Sequence, residues 1–238
     1  DHEKYGSPTK ALNVWRDHMV NMGFGYALGV DLPGEKRGLI PNPALYDKIY
    51  GANKWGGLRI IHTAIGQGEI LLTPVQLANL AATVANEGYF ITPHIVKDIK
   101  GGELDKKYIE KRYTGIDQQY YKYVKEGMRG AVIGSPFGAT CRRANIPGLE
   151  ICGKTGTAQN RGKDHSVFMG FSPKENPKIA VAVYVEHGGF GATWGVPIGA
   201  MIIEKYLNGY IDESRQYLYD YIKDFNLIPD EYKRKKEN

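Results

Sequence analysis

Cysteine is almost absent from this chain, with only Cys141 and Cys152 among 238 residues. So few thiols exclude a disulfide-dense small domain and a zinc site built on cysteine. The two could pair with each other, but two separate, partly buried thiols fit such sparse usage better. Long apolar runs are also missing. The longest, Ile179–Val185, has the length of a strand, and nothing has the form of a signal peptide or a bilayer-spanning segment. The chain as written is expected to be soluble, although a parent protein containing it need not be. No arginine-rich helix and no basic strand interleaved with aromatics is present, so the net charge of +5 does not point to nucleic acid. Part of that charge sits in the basic tail 233–238, where Lys233, Arg234, Lys235 and Lys236 read as a solvated end. His62 and His94 have no second ligand at metal spacing, so neither a metal nor a cofactor is expected.

What is present is ordinary globular material, 42% hydrophobic and 24% charged, enough for one sizeable core or part of a larger domain. Ser7-Pro8 opens a helix in which Leu12, Trp15, Met19 and Met22 recur at helical spacing until Gly23. The stretch 24–58, rich in Gly, Pro and Asn, reads as a surface excursion with short strands or turns at most. Thr73-Pro74 repeats the cap signature before a helix so apolar that burial nearly all round is expected. Tyr89–Lys97 alternates like a strand, Gly101-Gly102 marks a hairpin-like break, and 117–133 reads as an amphipathic helix. Strands are then expected at Leu149–Ala158, Ser166–Ser172 and Lys178–His187, forming an antiparallel meander. The turn Gly188–Gly195 leads to C-terminal helices within 197–225. Its Gly188-Gly189-Phe190-Gly191 run resembles a dinucleotide loop only superficially, because the spacing fails at Trp194. The order of elements predicts an α+β fold with an antiparallel sheet.

Two motifs fall on the same residues. Gly148-Leu-Glu-Ile-Cys-Gly153-Lys154-Thr155 satisfies the phosphate-loop pattern G-x-x-x-x-G-K-[ST]. Lys154-Thr155-Gly156-Thr157 matches the K-T-G element of penicillin-recognising serine enzymes. A phosphate loop needs a flexible backbone nest and a helix that starts at the lysine. Here Leu-Glu-Ile-Cys has the two-residue period of a strand, and Gly156, Asn160, Arg161 and Gly162 are poor helix formers. The strand reading therefore prevails over an NTPase. An extended edge strand can pair with an extended peptide through main-chain hydrogen bonds. Lys154 would supply positive charge, Thr155 and Thr157 hydroxyls could hold a substrate carboxylate, and Gly156 would leave room for substrate backbone. The N–H of Thr157 is a natural oxyanion-hole donor. His165 could line the cleft, although a structural or solvent-facing role suits it better.

Further stretches sharpen the motif. They include Met22-Gly-Phe-Gly-Tyr-Ala-Leu-Gly-Val-Asp-Leu-Pro33, Gly38-Leu-Ile-Pro41 and Ile65-Gly-Gln-Gly-Glu-Ile-Leu-Leu-Thr-Pro-Val-Gln-Leu77. Ile146-Pro-Gly, Gly153-Lys-Thr-Gly-Thr-Ala-Gln159 and Asp164-His-Ser-Val-Phe-Met-Gly-Phe-Ser-Pro173 follow in order. Over about 11–208 the chain resembles the C-terminal part of the transpeptidase domain of class B penicillin-binding proteins, closest to the elongation-type penicillin-binding protein 2. The resemblance implies a β-lactamase/transpeptidase-like fold with helices on both faces of the sheet, the N-terminal part of the domain lying outside residues 1–238. It implies a serine D,D-transpeptidase that cross-links peptidoglycan stem peptides and is acylated by β-lactams. Lys154 and Thr157 would be catalytic, and Thr155, Gly156 and Thr157 would bind substrate. A glycosyltransferase partner is implied too, as is a parent anchored in the bacterial inner membrane with this domain in the periplasm.

One departure matters. The family pattern runs S-x-x-K, S-x-N, K-T-G. Ser7-Pro8-Thr9-Lys10 satisfies the first element on paper, but it reads fully as a helix cap, and no S-x-N follows before Lys154. The nucleophile is therefore expected outside this chain. Without its helix, apolar faces such as that of Thr73–Ala85 would lose a partner, so catalytic silence and self-association are expected of the isolated chain. A complete small β-lactamase-like hydrolase using Ser7 and Lys10 is the first alternative, and a non-enzymatic peptide-binding module the second.

Overall fold

The computed structural model describes residues 2–136 and 138–228, so the basic tail lies outside the described residues. The chain divides into two units, residues 1–125 and 126–238. The first holds α1 (His2–Tyr5), α2 (Pro8–Asn21), α3 (Pro43–Tyr50), α4 (Gly57–Ala64) and α5 (Pro74–Ala85), with two short strands, β1 (Tyr89–Phe90) and β2 (Arg112–Tyr113). Three of these helices start by the same chemistry. Ser7, Asn42 and Thr73 are extended, each precedes a proline, and each side-chain oxygen accepts the N–H three residues on, from Lys10 at 3.2 Å, Leu45 at 2.8 Å and Gln76 at 3.3 Å.

The surface excursion expected over 24–58 is corrected. It contains α3, and Phe24, Leu28, Ile40 and Tyr46 are buried. Its periodicity is silent because α3 is eight residues long and Tyr46 is its one fully buried side chain. The irregular backbone around it is satisfied by side chains rather than by ladders. Gln76 Nε2 donates to the carbonyls of Tyr26 and Arg37, both at 3.1 Å, and of Gly23 at 3.4 Å. The Glu35 carboxylate accepts the N–H groups of Leu28, Gly29 and Val30 at 2.7 to 3.1 Å. This explains the burial of Gln76 on α5, whose buried face also differs from expectation. Gln76, Asn79 and Thr83 are among its buried residues, while Val75, Leu77 and Leu80 are half-buried. Strongly exposed apolar side chains include Leu58, Ile61, Ile65 and Leu71 on and after α4, and Ile95 and Ile109 further along.

The strand expected over Tyr89–Lys97 shrinks to β1, paired antiparallel with β2. Pro93 cannot donate to a ladder, and the Asp31 carboxylate takes the N–H groups of Ile95 at 2.9 Å and Val96 at 2.8 Å. Those hydrogen bonds hold the Asp31 carboxyl below its ordinary pKa, the bond from Val96 most of all. Gly101 and Gly102 lie in the loop joining β1 to β2, not at a tight hairpin.

Helix α6 (Tyr121–Ile133) runs across the division. The second unit continues with β3 (Cys152–Ala158), β4 (His165–Ser172), β5 (Ile179–Val185), α7 (Gly195–Asn208) and α8 (Glu213–Asp224). The three strands form the expected antiparallel meander in the order β3-β4-β5, with Thr155 opposite Phe168 and Phe168 opposite Val183. β3 starts later than expected because Gly148 (φ +80°) and Glu150 (φ +47°) take left-handed backbone, which leaves Leu149 and Ile151 buried but outside the ladder.

The core of this unit is built around one ring. Phe168 is wholly buried among Ile151, Val183, Val196, Ala200 and Ile203. A Cβ at Gly199 would lie 2.4 Å from that ring, one at Gly153 2.5 Å, and one at Gly170 2.8 Å. At Gly195 it would lie 3.0 Å from Phe168 Cβ. Four glycines thus let β3, β4 and α7 close on one aromatic side chain. Gly209, at φ +82°, ends α7. Beyond it, wholly buried Glu204 receives Arg215 Nε at 2.9 Å and the Asp212 N–H at 3.1 Å, which ties α8 to α7. Trp194 stacks on Tyr221 with centroids 5.7 Å apart. Adding one methyl at the tightest point of the socket, Gly199→Ala, is expected to cost about 1–3 kcal/mol through overpacking. Urea unfolding would read this as a lower midpoint, and an unchanged midpoint would refute the socket.

Candidate functional site

Among the described residues β3 is an edge strand, paired on one side only. Alternation puts Thr155 and Thr157 on the face carrying Phe168 and Ser166, which α7 covers, and Lys154 and Gly156 on the face carrying Met169 and Val167. The K-T-G side chains therefore do not share a face. Lys154 crosses this divide with its flexible stem: Nζ folds round the strand edge to the Thr155 carbonyl at 2.8 Å and reaches within 3.5 Å of Thr155 Oγ1. Gly156 serves a packing purpose, since a Cβ there would meet Val167 Cβ at 3.2 Å.

The direction of the main chain follows from the neighbours of Thr155. Its carbonyl accepts from Lys154 Nζ, which reaches it round the outer edge of the strand, so the main-chain groups of Thr155 face away from β4. In an antiparallel pair a residue directs its N–H and C=O to the same side, and the direction recurs every second residue. Thr157 consequently presents its own N–H and C=O on the free edge. Thr157 Oγ1 sits 3.5 Å from the Gly191 N–H.

The glycine-rich turn 188–195 backs this strand. Ser166 Oγ donates to the Phe190 carbonyl at 2.9 Å and accepts the Gly195 N–H at 3.0 Å, pinning both ends of the turn. Gly191 then approaches so closely that a Cβ would lie 2.5 Å from the Gly156 carbonyl oxygen. His165, a candidate for the cleft, has a structural partner: its Nδ1 accepts the His187 N–H at 3.0 Å, and its ring lies 5.2 Å from that of Tyr184. Ser7 is the cap of α2, with its oxygen turned to the Lys10 N–H. His62 and His94 take part in no metal-binding cluster among the described residues.

The role of Ser166 escaped the sequence reading, although the residue lies in the Asp164–Pro173 stretch, because its partners Phe190 and Gly195 are more than twenty residues away in the chain. Cys141 and Cys152 are both buried thiols. Burial raises the pKa of Cys141 above its ordinary value of 9.0, opposed by Thr140, the Lys154 charge and the Thr155 N–H. A raised thiol pKa means that the unfolded chain ionises first. The stability held here is therefore complete below the ordinary thiol pKa and declines as pH rises past it. Iodoacetamide at pH 8 should label Cys141 roughly a hundredfold more slowly in the native chain than in urea. Equal rates by mass spectrometry would contradict this burial.

Comparison with known proteins agrees with the geometry. Residues 11–207 match the family described as the penicillin binding protein transpeptidase domain. The peptidoglycan D,D-transpeptidase MrdA of Acinetobacter baumannii is 35% identical over 213 residues, covering 79% of this chain and 30% of that protein. The peptidoglycan D,D-transpeptidase PbpA of Mycobacterium tuberculosis is 37% identical over 161 residues, covering 62% of this chain and 32% of that protein. Pseudomonas aeruginosa PBP2, solved in complex with WCK 5153, aligns with a TM-score of 0.72 at 35% identity, over 84% of this chain and 43% of that one. PBP2 of Helicobacter pylori, solved in complex with MreC, aligns at 0.67 and 28% identity, over 86% of this chain and 37% of that one. The chain spans about a third of the length of these curated relatives. With its antiparallel sheet, its edge-strand K-T-G and this match over most of its length, the chain belongs to the penicillin-binding protein transpeptidase domain family.

Proposed function

We propose that this chain forms the substrate-binding wall of a peptidoglycan D,D-transpeptidase whose nucleophilic serine lies outside residues 1–238. The observation that carries the reading is the free edge of β3, where Thr155 and Thr157 turn their main-chain groups away from β4. A stem peptide ending in D-Ala–D-Ala lies along that edge as an added strand. The hydroxyls of Thr155 and Thr157 receive its terminal carboxylate, with the Lys154 ammonium beside them. The serine oxygen attacks the penultimate D-Ala carbonyl, and the Thr157 N–H donates to the oxyanion that forms. The C–N bond breaks, D-Ala leaves with a proton, and an amine of a second stem peptide takes the acyl group from serine. β-Lactams acylate the same serine.

The parent protein is membrane-anchored with this domain in the periplasm, and it works beside a glycosyltransferase. In the full-length protein, Thr157→Pro removes an N–H that β4 does not use, so the ladder is retained. The rate of acylation by a fluorescent penicillin should fall about 10²–10³-fold. Thr157→Val should lose far less. Equal rates for all three proteins would sink the oxyanion role, and a penicilloyl adduct on Ser7 of the 238-residue chain would sink the external nucleophile.

The isolated chain associates with itself through apolar side chains such as Leu58, Ile61 and Ile65, which lie more than half exposed on and after α4. Light scattering at rising concentration should show mass growth that Leu58→Glu with Ile61→Glu abolishes. A monomer at every concentration would contradict it.

A further inference from the structure

Helix α8 lies wholly beyond residue 207, where the match to the family ends, yet it reaches back to the turn that supports β3. The contact is an aromatic triad. The ring of Trp194 lies nearly parallel to that of Tyr221, at 5° with centroids 5.7 Å apart, and 4.7 Å from that of Phe225. Tyr221 and Phe225 are one helical turn apart with centroids at 5.4 Å, so one face of α8 presents both. The indole is 6% exposed, whereas Tyr221 and Phe225 are 51% and 47% exposed. The two rings thus form an outer cover over a buried indole, apart from the core built on Phe168. The Arg215–Glu204 ion pair ties the first turn of α8 to α7 and so sets where that cover falls.

Trp194 stands at the far end of the glycine turn, and its side chain makes no capping hydrogen bond to α7, so packing sets its position. On its inner side it meets the near end of the same turn, where a Cβ at Gly188 would lie 3.1 Å from Trp194 Cδ1. The indole is therefore held between Gly188 and the rings of α8. Between the two ends of the turn, Gly191 lies against the Gly156 carbonyl and brings its N–H to 3.5 Å from Thr157 Oγ1. The Gly191 carbonyl in turn accepts the Val196 N–H at 3.0 Å. Contacts run without a gap from α8 to the indole, to the turn and to the strand.

We propose that Tyr221 and Phe225 are positioning residues for the acyl transfer: by clamping Trp194 they hold the glycine turn against β3 and fix the Thr157 N–H where the oxyanion forms. The inference rests on the edge-strand reading given above. Neither ring touches the substrate. Both limit how far the turn can swing from the strand, and a displaced donor serves poorly a charge that develops only in the transition state. The clasp belongs to a helix outside the matched stretch, so the K-T-G strand draws part of its support from beyond the shared domain.

The test uses the full-length protein and a fluorescent penicillin, with rates taken per site that can be acylated, so that unfolded molecules do not count as slow ones. Tyr221→Ala with Phe225→Ala should lower the maximal acylation rate about tenfold and leave the half-saturating penicillin concentration within about twofold. Tyr221→Phe keeps the stacked ring and should keep the parental rate. Hydrogen exchange over residues 188–193 should quicken in the double-alanine variant and stay slow in β5. An unchanged maximal rate, even with a lower urea midpoint, would reduce α8 to a cover and overturn the proposal. If the double-alanine variant does not fold, Tyr221→Leu retains apolar cover without the stacked ring and should slow the maximal rate about threefold. The parental rate there would overturn the proposal equally. Combination with Thr157→Pro tests the route. Both changes act through one N–H, so the alanines should add little to the loss that proline causes, and a further tenfold loss would overturn the clasp. Slowing by Thr157→Pro but not by the alanines would remove the clasp and leave the edge-strand reading intact. Thr157→Pro at the parental rate would remove that reading, and this inference with it.

Discussion

The second unit depends on how closely backbone can approach Phe168. Its ring fills the space that side chains would occupy at Gly153, Gly170 and Gly199, and Gly195 lies against its Cβ. Those glycines come from β3, β4 and α7, so one contact fixes the distance between sheet and helix and the position of the strand next to it. Gly153 immediately precedes Lys154. The seat of the candidate site is therefore set by core packing, and a methyl group added on the wrong side of β3 would displace the edge that the site uses.

That edge is unusual in being exposed and kept that way. An unpaired strand edge invites association, and proteins usually cover or charge it. Here Cys141, the Lys154 ammonium and Gly191 surround the Thr155 end without supplying a fourth strand. The Thr155 carbonyl is held by the Lys154 ammonium, and the glycine turn holds the strand from behind through Ser166. In the proposed function, such a wall stands ready for an extended, negatively charged ligand before one arrives. Pre-organisation of this kind lowers the entropy lost on binding.

The first unit meets a different constraint. Much of it is loop, and every buried N–H or C=O in a loop needs a partner. Gln76, Glu35 and Asp31 provide several from their side chains, across sequence separations of up to 65 residues. This is why α5 turns Gln76 inward where its composition suggested an apolar rod. It is also why three of the stretches that carry the family resemblance, around Gly23, Gly38 and Gln76, meet in one hydrogen-bond network.

Some of this was legible in the residues themselves. Capped helix starts at Ser7-Pro8 and Thr73-Pro74, the strand over Lys154 and the three-strand meander follow from local physics: a side chain that caps an N–H, a proline that needs none, and alternation with a period of two. The family followed from motifs in order. Other features depended on partners far along the chain. The strand expected through Lys97 ended at Phe90 because a carboxylate more than sixty residues earlier took its hydrogen bonds. α3 stayed hidden because one buried tyrosine makes no periodic pattern. Sequence alone determined that Lys154–Thr157 is extended. Only the tertiary structure decided that its lysine and threonines leave opposite faces and that Lys154 returns to Thr155 round the unpaired edge, because which side of a strand remains unpaired is set by its neighbours and not by its residues.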